Sequence, residues 1–172
     1  MTPWTNNKPV SSVKLGNIYE IETSLGYYYI QYINFDKLMG YLVRLIDHRF
    51  DERQTDSLIV GNIATKYSFF YALPATIKHG VCRLIGNAQI PEADRAMPDL
   101  VSQMHVRPET PAKWEIIHPD GSSYQLNKLT KAQKNLPIWS IPSHPTVVRR
   151  LLEGWTPEQD HDLYQLKHSR IE

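Results

Sequence analysis

Three short β-branched and aromatic runs, NIYEIET, YYYIQYIN and YLVRLID, stand within residues 15–47, and glycine-bearing segments separate them. Runs of this length and composition, punctuated by turn residues, predict strands. Their short connections make an antiparallel meander the expected arrangement. Alternation then sorts the side chains into two faces. Tyr19, Ile21, Tyr28, Ile30, Tyr32, Tyr41, Val43 and Leu45 form one apolar set, the expected core face. Glu20, Glu22, Tyr27, Tyr29, Gln31, Leu42 and Arg44 form the other, a mixture of rings and charges expected to meet water, a partner or the covering C-terminal helix. Gly26, after Ser24 and Leu25, supplies the positive φ that a tight hairpin needs. The second connection, over residues 35–40, is longer and has no comparable signature.

Further along, Thr55-Asp56-Ser57 offers the start of a short helix. SFFYALP reads as a buried strand ended by Pro74. VCRLIGN reads as its hairpin partner across Lys78-His79-Gly80. Residues 88–111 hold four of the twelve prolines. Proline removes backbone donors, so a long wrapping loop is expected there. WEIIH and SSYQL flank Pro119-Asp120-Gly121, residues that preset φ, bond back to the backbone and supply an unusual dihedral, so a hairpin follows. Thr130 with Gln133 forms a capping box that opens a short helix. In HPTVVRRLLEGW, Pro145 suits the first helical position and Gly154 the residue past the end, with Val147, Val148, Leu151 and Leu152 as an apolar stripe. Thr156 with Gln159 repeats the capping pattern before a last short helix or turn around 160–164.

Length and composition bound the rest. A chain of 172 residues, 41% hydrophobic and 22% charged, is ordinary globular material for one domain. Residues 1–12, polar and proline-bearing, read as a flexible arm that Trp4 anchors. Residues 13–166 read as one β-rich domain, and 167–172 as a frayed end. The start of the chain lacks the basic and apolar stretches of a signal peptide, so export and membrane insertion are not expected. Cys82 is the only cysteine, which suits a reducing compartment, and a cytoplasmic location is expected. With 19 Lys plus Arg against 18 Asp plus Glu, no global basic field invites nucleic acid. Arg149-Arg150 and the lysines of 128–134 are small local exceptions.

Catalytic motifs are sparse. Cys82 lies in VCRLIG, where alternation buries it with Leu84 as an inert core thiol, and no G-x-S-x-G elbow is present. Asp160-His161-Asp162 is the tightest cluster of potential metal ligands, and Asp47-His48 another. Neither has the spacing of a metal site, so polar surface is expected, and no cofactor or metal. His118 and His144, each followed by proline, suit turns or caps. Glu20 with Glu22 and Asp51 with Glu52 lack an enclosed site that would separate their pKa values, and the first pair is expected to oppose Arg44. No catalytic set is therefore assigned. Of ten tyrosines, Tyr27 and Tyr29 on the mixed face, with Gln31, Arg44 and Glu20, are the expected partner-binding residues, since aromatic and arginine side chains dominate interface energetics.

The run KLGNIYEIETSLGYYYIQYI, with its glycine, its aromatic-aliphatic strand, a second glycine and a Tyr-Ile-Gln-Tyr strand, resembles the opening of the immunity protein 26 family of bacterial toxin-immunity systems. The likeness covers about the first third of the chain, through YLVRLID. Family members often carry aspartate where Asn17 stands. The resemblance implies a small cytoplasmic protein that binds and neutralises a toxin-like protein without cofactor or catalysis.

The expected fold is mainly β (α+β), a small antiparallel, SH3-like or curled barrel closed on one side by short C-terminal helices. The expected function is a non-enzymatic protein-binding module. The alternative is a small-ligand-binding protein or enzyme with a pocket into which Asp47, His48 or His79 points. Single-stranded nucleic-acid binding through exposed rings is disfavoured because the neighbouring charges, Glu20 and Glu22, are acidic.

Overall fold

The three runs fold as β1 (Asn17–Thr23), β2 (Gly26–Asp36) and β3 (Gly40–Ile46), each antiparallel to the next. The computed structural model describes residues 9–107 and 110–169. Residues 1–8 of the expected arm, with Trp4, lie outside the described residues, as do 170–172 of the expected frayed end. In the first hairpin Thr23 Oγ1 accepts the Leu25 N–H at 3.2 Å and donates to the Gly26 carbonyl at 2.9 Å. Gly26 has φ 130°, and a Cβ there would stand 2.5 Å from the Phe50 carbonyl oxygen. The second turn is tighter than expected. Asp36 Oδ1 accepts from both the Leu38 and Met39 N–H groups at 2.8 Å, so residues 37–39 suffice.

One irregularity matters for phasing. Tyr32 pairs with Val43 but Asn34 with Leu42, so Ile33 is the extra residue of a bulge. The bulge resets the parity of β2. Phe35 thereby joins Tyr41 on the apolar face, edge-on at 5.1 Å, while Ile33 turns to the other side.

After β3 the chain makes α1 (Ser57–Gly61), whose N-cap Asp56 accepts from the Leu58 and Ile59 N–H groups. Then come β4 (Thr65–Tyr71) and α2 (Leu73–Lys78). Pro74 sits in the first turn of α2, where its missing donor leaves no bond unmade. β5 (Arg83–Asn87) pairs with β1, giving the order β4-β3-β2-β1-β5. The predicted β4–β5 hairpin is thus corrected. The intervening residues form a helix that carries the chain to the far edge of the sheet, where Arg83 meets Glu20 at 3.0 Å.

A second sheet contains β6 (Leu100–Gln103), β7 (Trp114–Ile117) and β8 (Ser123–Leu126) in that order. β6 and a 3-10 turn at Glu92–Asp94 lie inside the segment expected to be loop. Its prolines flank these elements rather than interrupt them. The β7–β8 hairpin forms at Pro119-Asp120-Gly121 as expected, with Asp120 Oδ1 accepting the Ser122 N–H at 2.9 Å. α3 (Lys131–Lys134) has the Thr130/Gln133 box in full, and α4 (His144–Glu153) runs from the Ser143 N-cap to Gly154, at φ 63°. α5 (Pro157–Ser169) opens on reciprocal Thr156–Gln159 bonds and is longer than the expected turn.

The five-stranded sheet buries both faces. On one, the eight residues of the expected apolar set pack with Leu73 of α2 and with Val147 and Leu151 of α4. The other face is covered in two places, by Val60 of α1 with Ala88, and by Leu100 of the second sheet against Ile33, Leu42 and Phe70. A further core joins Val101, Trp114 and Ile116 to Leu129, with Tyr164 of α5 against it. The fold is therefore mainly antiparallel β with a few short helices. Its sheets are open: β4 and β5 end the five-stranded order without pairing, so the expected barrel closure is corrected.

Candidate functional site

The mixed face of the meander is where the sequence placed a partner, and it is interior. Tyr29, Gln31 and Arg44 have no exposed area and Glu20 only 3%. Tyr27 alone of the five keeps solvent access, half-buried beneath the Arg53 guanidinium, which lies 5.2 Å from its ring centroid. The expectation of an exposed docking face at Glu20, Tyr27, Tyr29, Gln31 and Arg44 is thus corrected. Polar alternation here marks buried networks.

Two such networks hold the face together. Glu20 accepts from Tyr29 Oη at 2.9 Å and is bridged by Arg53 and Arg83 at 3.0 Å each. The carboxylate reaches inward while both guanidiniums stay partly in water, which lessens the desolvation of the cations. Glu22 also pairs with Arg53, so neither glutamate opposes Arg44. Arg44 instead donates to Gln31 Oε1 (2.7 Å), to the carbonyls of Gly61 (2.7 Å) and Ile63 (2.9 Å), and to Thr65 Oγ1 (3.1 Å). Thr65 in turn donates to Asp94 at 2.6 Å, and Gln31 Nε2 donates to the Gly16 and Ala88 carbonyls. This guanidinium replaces water for four acceptors and ties the end of α1 to the sheet. Desolvation lowers its pKa.

The place where charged and aromatic groups do converge on solvent is a cleft of about 450 Å³ at the end of β3, the start of β4 and the C-terminus of α4. Asp47, His48 and Arg49 form one rim and Lys66 another, all exposed. Tyr28, Tyr67, Arg150 and Trp155 line the inside. Arg150 stacks on the Trp155 ring at 4.0 Å, and Tyr67 meets that ring edge-on at 5.4 Å. Burial raises the Tyr67 hydroxyl to about 12, against the pull of Arg150. Tyr28 donates to the Leu151 carbonyl at 3.3 Å, joining β2 to α4. The local fold explains the placement. The Gly154 turn reverses the chain at the end of α4 and brings Trp155 back over Arg150, whose carbonyl accepts the Trp155 N–H at 3.0 Å.

Asp47 and His48 thus border a cleft as the alternative reading expected, although their side chains stand on the rim. His79 is exposed at the end of α2 and lies apart from it. Arg150, Trp155, Lys66 and Tyr67 were not singled out for this role. The Arg150–Trp155 spacing across a glycine helix stop was the one usable signal.

The remaining chemistry-bearing groups are engaged elsewhere. Cys82 is 2% exposed, with burial pushing its thiol up to about 12, while Leu84 is exposed rather than buried with it. His161 is also interior: its Nδ1 accepts the Trp114 indole N–H at 3.1 Å, and burial holds its pKa down to about 4. Asp160 and Asp162 bond to Gln103 and Lys134 instead of converging with it. Among the described residues no group of three or more histidine, cysteine or acidic side chains is arranged to hold a metal ion. His144 Nδ1 lies 2.6 Å from Tyr71 Oη at the start of α4, and His118 Nδ1 lies 2.8 Å from Asp99. No helix among the described residues is long and apolar enough to cross a membrane. Comparison with protein-family models, with curated proteins and with solved structures finds no match to this chain.

Proposed function

We propose that this protein is a non-enzymatic protein-binding module, an immunity-like inhibitor of a toxin-like protein in the cytoplasm, and that it engages its partner through the cleft of Lys66, Arg150 and Trp155. The observation behind the choice of surface is the Arg150–Trp155 stack at 4.0 Å beside an open cleft. Arginine and tryptophan are the residue types most often found at the energetic centre of an interface, and here both are held in one geometry before any partner arrives. The meander likeness to the immunity protein 26 family supports the reading, and so does the sealing of Cys82 away from any substrate.

Co-expression with the product of the adjacent coding sequence tests it. The expected result is a stable complex by light scattering, weakened at least about tenfold by Arg150→Ala or Trp155→Ala, the loss typical of an interface centre. Absence of a complex, or one indifferent to both substitutions, refutes the proposal. The cleft volume favours a second reading, a small-ligand site, because cavities of several hundred Å³ are the size that such ligands fill.

A further inference from the structure

We propose that the cleft recognises a carboxylate, supplied by an aspartate or glutamate of the protein partner and held edge-on by the Arg150 guanidinium. The inference deepens the binding reading above and rests on it for the source of the carboxylate.

Arg150 is the anomaly that leads there. The other arginines of the networks described have acceptors: buried Arg44 has four, and the more exposed Arg53 and Arg83 share Glu20. Arg150 is half-buried in the last turn of α4, yet among the described residues its guanidinium has no carboxylate within 4.0 Å and no hydrogen-bond acceptor. Its neighbour Arg149 takes Glu153, at 3.8 Å. Asp160 faces the same region but is occupied by Gln103 at 2.9 Å and the Trp155 indole N–H at 3.4 Å. Desolvation lowers the Arg150 pKa, and Asp160, too far away to pair with it, only opposes that shift. A partly desolvated cation without an anion is unfavourable, and an anion brought by a partner removes that penalty.

The geometry narrows the anion's shape. Stacking on Trp155 uses the flat face of the guanidinium and leaves its edge, where the N–H donors lie in a fork that matches a planar carboxylate. The charge count narrows it further. Among the described residues Lys66 and Arg150 of the cleft have no carboxylate within 4.0 Å, Arg49 is bridged to Asp51 at 3.0 Å, and Asp47 is the acid on the rim. A single negative charge balances that set better than a phosphate dianion. The cleft lies at the C-terminus of α4, the negative end of its dipole, which repels a dianion more strongly than a monoanion.

Titration of the ¹⁵N-labelled protein with glutarate, against inorganic phosphate at matched ionic strength, tests this. The expected result is a saturable shift of the Trp155 indole and Arg150 side-chain N–H signals, weaker or absent with phosphate. Arg150→Gln should abolish saturation, Arg150→Lys should weaken it several-fold through loss of the fork, and Asp47→Asn should tighten it about two- to fivefold by removing a like charge. Asp47→Asn leaves the stack untouched, so the test survives a poorly folded Arg150 variant. No saturable shift, tighter binding of phosphate, or indifference to Asp47→Asn and Arg150→Gln overturns the assignment. The two readings fail separately. Saturation by glutarate with no complex from the adjacent gene product refutes the inhibitor and leaves a small-carboxylate site. A complex without glutarate binding, indifferent to Arg150→Gln, refutes the carboxylate.

Discussion

His161 makes the stability of this protein depend on pH in a way the geometry fixes in sign. The ring has no exposed area and its Nδ1 accepts the Trp114 N–H, so the neutral ring carries its proton on Nε2. Nε2 has no partner among the described residues. Protonating Nδ1 would set two donors against each other inside the core that joins α5 to the second sheet. Burial is the main cause of the low pKa, about 4; Asp160 and Asp162 oppose it and Lys134 adds to it. An unfolded histidine titrates near 6.5. The depressed folded value therefore gives stability that is fully present above pH 6.5 and is lost as pH falls toward 4. Taking those two values, linkage gives a loss of about 2 kcal/mol between pH 7 and pH 5, and about 3 kcal/mol once both states are protonated. Urea denaturation of the protein and of His161→Gln at both pH values isolates it from the other histidines. Glutamine retains an acceptor for Trp114 but does not titrate. The wild type should lose about 2 kcal/mol more than the variant on going to pH 5; equal losses would refute the assigned protonation state.

Three further outcomes follow from the buried groups and the first hairpin. Arg44→Met leaves the Gly61 and Ile63 carbonyls and Gln31 without their donor and should destabilise by about 3–5 kcal/mol by urea denaturation; a loss under about 1 kcal/mol would show that water replaces the guanidinium. Gly26→Ala combines a positive φ with a Cβ 2.5 Å from the Phe50 carbonyl and should lower stability by more than about 1 kcal/mol, read as a fall in Tm. Cys82, with its thiol near 12, should resist thiol-specific reagents at pH 8 and react at once in denaturant; fast labelling of the native protein would contradict its burial.

Local signals in the chain were legible where one residue type has one physical use. The phasing of β1 to β3, the Thr55-Asp56-Ser57 and Thr130 helix starts, the Gly154 stop and the Pro119-Asp120-Gly121 turn all appear in the structure where their chemistry placed them, and Pro145 falls one residue inside the start of α4. Long-range choices were not legible. Nothing in VCRLIGN distinguishes pairing with β4 from pairing with β1, because the deciding contact, Arg83 with Glu20, spans 63 residues. The polar alternation of β2 and β3 looks the same whether Gln31 and Arg44 face water or the carbonyls of residues 61 and 63. The Asp47–His48 edge of the cleft was visible as an alternative, yet Trp155 joins Arg150 there only through the turn after α4.

The sheet order also sets a sequence of events for folding. β1, β2, β3 and β4 each join a strand adjacent in the chain, whereas β5 must return across the whole sheet to reach β1. Closing that larger loop is entropically slower than zipping a hairpin. The meander is therefore the natural nucleus and β5 the last strand to dock. The Glu20–Arg83 bridge then acts as a latch: Arg83→Ala should chiefly hasten unfolding while leaving the folding rate almost unchanged.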